Sequence, residues 1–111
     1  MKRILIPLWG DDIAPRFDAA QEVTIVAMDE HDGMVEKRTV ILPEASAEAL
    51  CNLVLSERID MVVCCAIEEE YYQYLTWKRV AVIDSVAGPL NAILERIAAG
   101  SLQQGDMLFP R

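Results

Sequence analysis

Two stretches decide the fold: Ile4-Leu-Ile-Pro-Leu-Trp-Gly-Asp-Asp-Ile-Ala-Pro-Arg-Phe-Asp-Ala-Ala20 and Ile59-Asp-Met-Val-Val-Cys-Cys-Ala-Ile67. Each contains a continuous apolar run, over residues 3–8 and 60–66, and then leads into irregular or helical chain. Such runs are typical of strands that are buried on both faces, as in a parallel sheet covered by helices. The two runs therefore predict the central strands of an α/β sheet.

The rest of the chain predicts strands that alternate with helices. Residues 22–29 and 35–42 flank the turn His31-Asp-Gly33 and predict a β-hairpin, and residues 79–83 predict a last short strand. Helices are predicted over 44–58, over 68–77, and from Pro89 to just before Gly100. The tail at 101–111 has little pattern.

Two of these helices carry an apolar face at helical spacing, and we expect both faces to be buried. The stripe of the first helix consists of Ala47, Leu50, Cys51, Val54 and Leu55. The last helix has Leu90, Ile93, Leu94, Ile97 and Ala98 on one face.

The connections predict the topology of a single domain over 1–111. With the predicted strands numbered in chain order, the hairpin makes strand 2 antiparallel, and the helical crossovers make strands 1, 4 and 5 parallel. A three-layer α/β/α domain with a mixed five-stranded sheet of order 3-2-1-4-5 satisfies these connections. The loops at 9–19, 64–70 and 84–89 should then share one edge of the sheet, where such folds bind ligands.

Composition excludes several classes of partner. The formal net charge of −8 argues against nucleic acid and anionic membranes, because both need a positive protein surface. The start Met1-Lys-Arg-Ile leads directly into a strand without the apolar stretch of a signal peptide, so we infer a cytoplasmic protein. The three cysteines include no Cys-x-x-Cys pair, so we expect reduced thiols rather than a structural zinc site.

Together with Ala87-Gly-Pro-Leu-Asn-Ala-Ile-Leu94, the two opening stretches resemble the nitrogenase iron–molybdenum cofactor biosynthesis family, over nearly the whole chain. Its members are small domains that carry or bind the cofactor or its precursors, and the resemblance implies a ribonuclease H-like motif. Cofactor-carrying relatives read Ser-x-His-Phe-Gly-Arg-Ala where this chain has Ala14-Pro-Arg-Phe-Asp-Ala-Ala20. A looser branch, Pro-x-Phe-Asp-x-Ala, is closer to this chain.

The resemblance implies a cofactor site made of Arg16, Phe17, Cys64, Cys65 and Gly88, with Cys64 as the metal ligand. Each of these residues also has a structural interpretation. Arg16 could pair with Asp12 or Asp18, Phe17 and the cysteines could be core, and Gly88 could serve a tight strand-to-helix turn.

Two functions follow as hypotheses. The first is a non-enzymatic accessory or carrier-like domain that binds an iron–molybdenum or other metal–sulfur cluster, or a small anion. The second is a protein-interaction or regulatory module that has kept the fold and lost the cofactor, with a protein partner or a second copy as its target. The run Glu68-Glu69-Glu70 favours the second, because three carboxylates repel an anionic cluster. A third hypothesis, a thiol-redox enzyme, would need an exposed cysteine of low pKa, which the sequence does not supply.

Overall fold

The computed structural model describes residues 1–109 of the chain. Its strands are β1 (Lys2–Trp9), β2 (Asp12–Ile13), β3 (Glu22–Asp29), β4 (Gly33–Ile41), β5 (Met61–Val63) and β6 (Ala81–Ile83). Its α-helices are α1 (Ala47–Ser56), α2 (Glu69–Trp77) and α3 (Leu90–Ala98), and a short 3-10 helix covers Phe17–Ala19. No helix in this part of the chain has both the length and the apolar character that a bilayer crossing requires.

The strands form one mixed sheet in the order β4-β3-β1-β5-β6, with β2 paired to β1 outside this path. β1 runs antiparallel to β3 and parallel to β5, which is itself parallel to β6. The α/β class and the mixed sheet are as predicted, but the sheet has six strands rather than five. The additional strand, β2, is only two residues long, so it has no apolar periodicity that a sequence could reveal.

Helices cover both faces of the sheet, and each face has its own core. The α1/α2 core includes Leu5, Phe17, Val23, Ile25, Leu50, Cys51, Val54, Val62, Cys64 and Leu75. The α3 core includes Ile4, Ile6, Leu8, Ile13, Val26, Val63, Val86, Ile93 and Leu94. Neighbouring residues of β1, β3 and β5 alternate between the two cores, as the pleat of a strand requires.

The strands β5 and β6 are shorter than the predicted 60–66 and 79–83. The apolar residue Val80 is buried, but its amide donates to the Leu75 carbonyl at the end of the preceding helix. Val80 therefore closes a helix instead of beginning a strand. A continuous apolar run cannot distinguish the two roles, because both are buried.

The helix boundaries are close to the predictions, with one correction to a boundary and two to the buried faces. Ser46 caps α1 by accepting a hydrogen bond from the Ala49 amide, so the helix begins later than the predicted residue 44. Leu55, predicted to be buried, is 39% exposed because it lies at the flank of the apolar stripe. In α3, Ala98 is also exposed, whereas Gly100 ends the helix at φ +70° as predicted.

The tail after α3 has a structural role that its sequence does not reveal. Met107 bridges to Ala87, and the Leu108 amide donates to the Ala87 carbonyl. The tail thus runs back to the loop before α3 and covers it. The prediction of little pattern extended over 101–111, of which residues 110 and 111 lie outside the described residues.

Candidate functional site

The loops at 9–19, 64–70 and 84–89, here called the crevice loops, lie on one edge of the sheet, as predicted. Five backbone hydrogen bonds join them. They run from Phe17 to Ala66 (2.8 Å), from Ala66 to Pro15 (3.0 Å), from Ser85 to Cys65 (2.8 Å), from Val86 to Cys64 (3.1 Å) and from Ile13 to Gly88 (3.0 Å). Each bond uses an amide or carbonyl that would otherwise be available to a ligand, so the loops form a closed edge.

Arg16 is exposed at this edge, but its guanidinium group is already paired. Nη2 lies 2.7 Å from Asp18 Oδ2 and 4.0 Å from Glu68 Oε1. The pair with Asp18 is one of the two structural interpretations that the sequence left open. Exposed ion pairs contribute about 0–1 kcal/mol, so an anion could displace these carboxylates only at a modest cost. Its approach would still bring it close to both negative charges.

Phe17 belongs to the α1/α2 core rather than to the surface of the crevice. Its side chain is 1% exposed, and its ring centroid lies 6.4 Å from that of Tyr71. The 3-10 helix that begins at Phe17 turns the ring inward, while its amide is bound by Ala66. Phe17 therefore anchors the first crevice loop to α2.

The adjacent thiols Cys64 and Cys65 lie on opposite sides of the chain, as expected for neighbours at the end of a strand. Cys64 is 1% exposed within the α1/α2 core, whereas Cys65 is partly exposed. Burial, followed by the nearby charges of Asp84 and Cys65, raises the pKa of Cys64 to about 12. The assignment of Cys64 as a metal ligand stays a prediction, and its burial argues against it because metals bind the accessible thiolate.

Gly88 is required by the tail. Its φ is +138°, and a Cβ placed there would lie 2.8 Å from Leu108 Cβ. The first amide of α3, at Leu90, donates to the Asp11 carbonyl at 2.9 Å. The start of this helix is thus bound by the chain itself, and the close approach of Leu108 explains why a glycine stands at position 88.

Asp84 and Ser85 complete the edge, and the sequence interpretation missed both as site residues. Asp84 Oδ1 is buried and has no hydrogen-bond partner within residues 1–109. Ser85 follows with a left-handed φ of +59°, and its hydroxyl lies 3.5 Å from Asp84 Oδ2. The signal in the sequence was their position directly after an apolar strand, at the carboxyl end where ligands bind.

The residues present do not fit a metal or cluster held by several side chains. Within residues 1–109 no three His, Cys, Asp or Glu side chains converge on a common point. A groove of about 880 Å³ lies away from the crevice loops, beside the end of α3, and none of the predicted site residues line it. Its apolar lining is formed by Ile4, Met28, Met61, Ile83, Ile97 and Leu102.

The helix α2 borders the crevice loops and presents aromatic side chains beside the Glu68–Glu70 run. Trp77 is 74% exposed, whereas the tyrosines of the helix are half-buried. Lys78 Nζ lies 4.6 Å from the Trp77 ring centroid and 5.8 Å from that of Tyr74. These cation–π contacts hold the two rings in place at the surface. We call Glu68–Glu70, Tyr74 and Trp77 the α2 surface.

The three thiols are expected to react at very different rates. At pH 8 a thiol-specific reagent should modify Cys65 in the folded protein and reach Cys51 and Cys64 only after unfolding. With a pKa of about 12 instead of 9.0, Cys64 has about a thousandfold less thiolate at this pH, in addition to its burial. Mass spectrometry of the modified peptides measures the order. The Cys65→Ser variant is the control and should lose the rapid phase; rapid labelling of Cys64 would contradict the description of this edge.

Stability is expected to fall in alkaline solution. Burial raises the pKa of Cys64 to about 12 and that of Cys51 to about 11, from 9.0. Because the folded state keeps these thiols neutral, their contribution is complete below pH 9 and is lost as the pH rises toward the folded values. Each thiol should lower the free energy of unfolding by about 1.4 kcal/mol per pH unit in that range. Denaturant titrations between pH 8 and pH 11 give the free energy of unfolding at each pH. This free energy should fall less steeply with rising pH for Cys64→Ala than for wild type.

No family model matches the chain, and no curated protein is detectably similar to it in sequence. Solved structures are similar. The crystal structure of PH0822 has a TM-score of 0.83 at 18% identity, over 92% of this chain and 93% of that one. The chain shares its fold with known proteins. A presumed dinitrogenase from Methanocaldococcus jannaschii has a TM-score of 0.75 at 17% identity, over 92% of each chain.

A further structure with this fold is that of a presumed NifB protein from Thermotoga, placed in the DUF35 family. It has a TM-score of 0.72 at 18% identity, over 100% of this chain and 98% of that one. At identities of 17–18%, the similarity shows the fold alone. The function must therefore be argued from the residues of this chain.

Proposed function

We propose that this chain is a non-enzymatic accessory domain of nitrogenase-related fold that acts by binding a protein partner and does not itself hold a metal cluster. One observation carries the proposal: most of the residues that the resemblance assigns to a cofactor at the crevice loops are occupied by the chain. Arg16 is paired with Asp18, and Cys64 is in the core. Gly88 is covered by Leu108 of the tail.

The absence of enzymatic activity is part of the same proposal. The single histidine of the sequence, His31, belongs to the turn between β3 and β4, away from the crevice loops. The pKa of the buried Cys64 thiol is raised, which is opposite to what a nucleophile at neutral pH requires. General acid–base catalysis needs a titratable group that lies at the site and has a pKa near the working pH, and neither His31 nor Cys64 meets both conditions.

The α2 surface is complementary to a partner protein whose own binding surface is basic and has an apolar centre. The three carboxylates of Glu68–Glu70 are exposed at the start of the helix, and the whole chain carries a net charge of −8. Exposed tryptophan and tyrosine contribute large shares of binding energy at protein interfaces. A shallow cleft of about 340 Å³ between α1 and α2, which Tyr71 and Tyr74 line, could receive a side chain of the partner.

The experiment begins with affinity purification from the native host, followed by reconstitution with the purified partner. Trp77→Ala and Tyr74→Glu should each raise the Kd of the reconstituted complex at least about tenfold, and binding should weaken as salt rises. Trp9→Ala is the matched control, because Trp9 is also exposed, at 65%, but lies outside the α2 surface. Equal affinities for all three variants would reject this surface as the binding site.

A carrier role remains the second candidate, and one observation favours it. The thiol of Cys65 is partly exposed, and the backbone carbonyl of Cys65 accepts a hydrogen bond from the Ser85 amide. The neighbouring residue Asp84 has a buried carboxylate oxygen, Oδ1, without a hydrogen-bond partner within residues 1–109. A single thiolate could contact a metal–sulfur species whose other ligands come from elsewhere. In that case Cys65, and not Cys64, would be the protein ligand.

A further inference from the structure

The cleft between α1 and α2 has a lining that combines aromatic rings with carboxylates. Its volume of about 340 Å³ is at the lower end of the range in which protein pockets hold small ligands. Each helix contributes three residues to the lining: Glu48, Cys51 and Asn52 from α1, and Glu70, Tyr71 and Tyr74 from α2. Facing surfaces of two neighbouring helices thus form the walls, and the cleft has room for one side chain of another molecule.

The two carboxylates of the cleft have no positive partner in the described part of the chain. Within residues 1–109 neither Glu48 nor Glu70 belongs to an ion pair, and no lysine or arginine lines the cleft. The neighbouring Glu69 differs, because its carboxylate accepts a hydrogen bond from Gln73 at 2.9 Å and lies outside the cleft. A cation that enters the cleft would therefore gain the attraction of two uncompensated charges.

The charges of Glu48 and Glu70 act on the same small volume, although they come from different helices. Burial raises the pKa of the Tyr71 phenol, and the carboxylates of Glu70 and Glu48 are among the charges that raise it further. Burial also raises the pKa of the Cys51 thiol to about 11, with Glu48 as the second cause. A group that enters between the helices would meet both charges in a partly desolvated setting, where electrostatic attraction is stronger than in water.

The tyrosine rings of the cleft provide a second means of holding a cation. The face of an aromatic ring attracts a cation that lies within about 6 Å of the ring centroid. The chain already uses this interaction at the end of α2, where Lys78 Nζ lies 5.8 Å from the centroid of Tyr74. Lys78 does not line the cleft, so the ring surfaces of Tyr71 and Tyr74 that do line it are available to a cation of another molecule.

These features favour a guanidinium group over an ammonium group. A guanidinium is planar, stacks on aromatic faces, and donates to more than one acceptor through its fork of N–H groups. The ammonium group of lysine is more strongly hydrated, so it loses more when it leaves water. The amide of Asn52 adds an uncharged acceptor to the lining, which a group with five N–H donors can use.

We propose that the cleft binds an arginine side chain of the protein partner, with its guanidinium group against the rings of Tyr71 and Tyr74 and between the carboxylates of Glu48 and Glu70. The inference rests on the function proposed above, since it names the residue type with which the partner anchors itself. It also extends the binding site from the α2 surface to α1, because Glu48 belongs to that helix.

Titration with small probes tests the cleft without the partner. The probes are N-acetyl-arginine amide, N-acetyl-lysine amide and the neutral isostere N-acetyl-citrulline amide, each at constant ionic strength because salt screens exposed charges. NMR follows the ring resonances of Tyr71 and Tyr74. The arginine probe should shift both rings saturably and bind more tightly than the lysine probe, and the citrulline probe should leave the rings unshifted. Equal shifts from the arginine and citrulline probes, or tighter binding of the lysine probe, would overturn the proposal.

In the reconstituted complex, Glu48→Gln and Glu70→Gln should each raise the Kd at least about fivefold, because each removes a charge that contacts the arginine. Glu69→Gln is the matched control: it removes the same charge from α2 but lies outside the cleft. If both cleft variants behave like Glu69→Gln while Trp77→Ala still weakens the complex, the cleft proposal is overturned and the proposed function stands. If Trp77→Ala has no effect, the proposed function fails, and the probe titration still decides whether the cleft binds a guanidinium group.

Discussion

Replacing Phe17 with alanine is expected to lower the free energy of unfolding by about 3–5 kcal/mol, because it removes a fully buried aromatic ring. Phe17 is 1% exposed, and its ring contacts the α1/α2 core beside Tyr71. The loss should be measured by denaturant titration with circular dichroism as the signal. The ring fixes the first crevice loop to the sheet, so the loop should also become more susceptible to protease.

The exposed aromatic residue Trp77 provides the matched control. Because Trp77 is 74% exposed, Trp77→Ala should change the free energy of unfolding by less than about 1 kcal/mol. This comparison separates the two interpretations of Phe17. If Phe17 served a ligand instead of the core, its replacement would cost little stability, and the two variants would unfold at similar denaturant concentrations.

The second large effect is expected for Gly88→Ala, with a loss of about 2–4 kcal/mol. The new Cβ would lie 2.8 Å from Leu108 Cβ and 3.1 Å from the Leu108 carbonyl carbon, at a backbone φ of +138° that L residues rarely adopt. The tail must move away or the loop must change its conformation. Either change disrupts the contact between Leu108 and the α3 core.

Gly10→Ala is the control for this variant, because Gly10 also has a positive φ, +66°, but no atom lies within 4 Å of its added Cβ. It should cost only about 1–2 kcal/mol, from backbone strain alone. Thermal and denaturant unfolding of the two variants give the difference. Equal losses would show that the tail does not constrain Gly88, and the site description would have to change.

The sequence predicted the fold well where the signal is an apolar pattern. The runs at 3–8 and 60–66 contain the central strands β1 and β5, and the hairpin forms at 22–42, because a buried strand must be apolar at nearly every position. The pattern failed for the two-residue β2 and for Val80, which is buried just after the end of α2. The prediction that Leu55 is buried was wrong, because a residue at the flank of an apolar stripe need not contact the sheet.

The candidate site was predictable in its location but less so in the roles of its residues. The parallel orientation of β1, β5 and β6 was enough to bring the crevice loops together. Which of two adjacent thiols faces the core depends on the register of a short strand, and one residue of shift reverses the answer. The contact between Gly88 and Leu108 joins residues twenty positions apart through an irregular tail, so no local pattern encodes it.

The central claim is that the crevice loops are closed by the chain's own residues and hold no metal cluster. The most direct measurement is anaerobic reconstitution of the reduced protein with an iron–sulfur or molybdenum–copper–sulfur species, followed by gel filtration, metal analysis and a visible spectrum. Cys65→Ser and Cys64→Ser are measured alongside. We predict far less than one metal cluster per chain, and no difference between the wild type and the two variants. A stoichiometric chromophore on the wild-type protein that is lost in either cysteine variant would contradict this account and establish the carrier role instead.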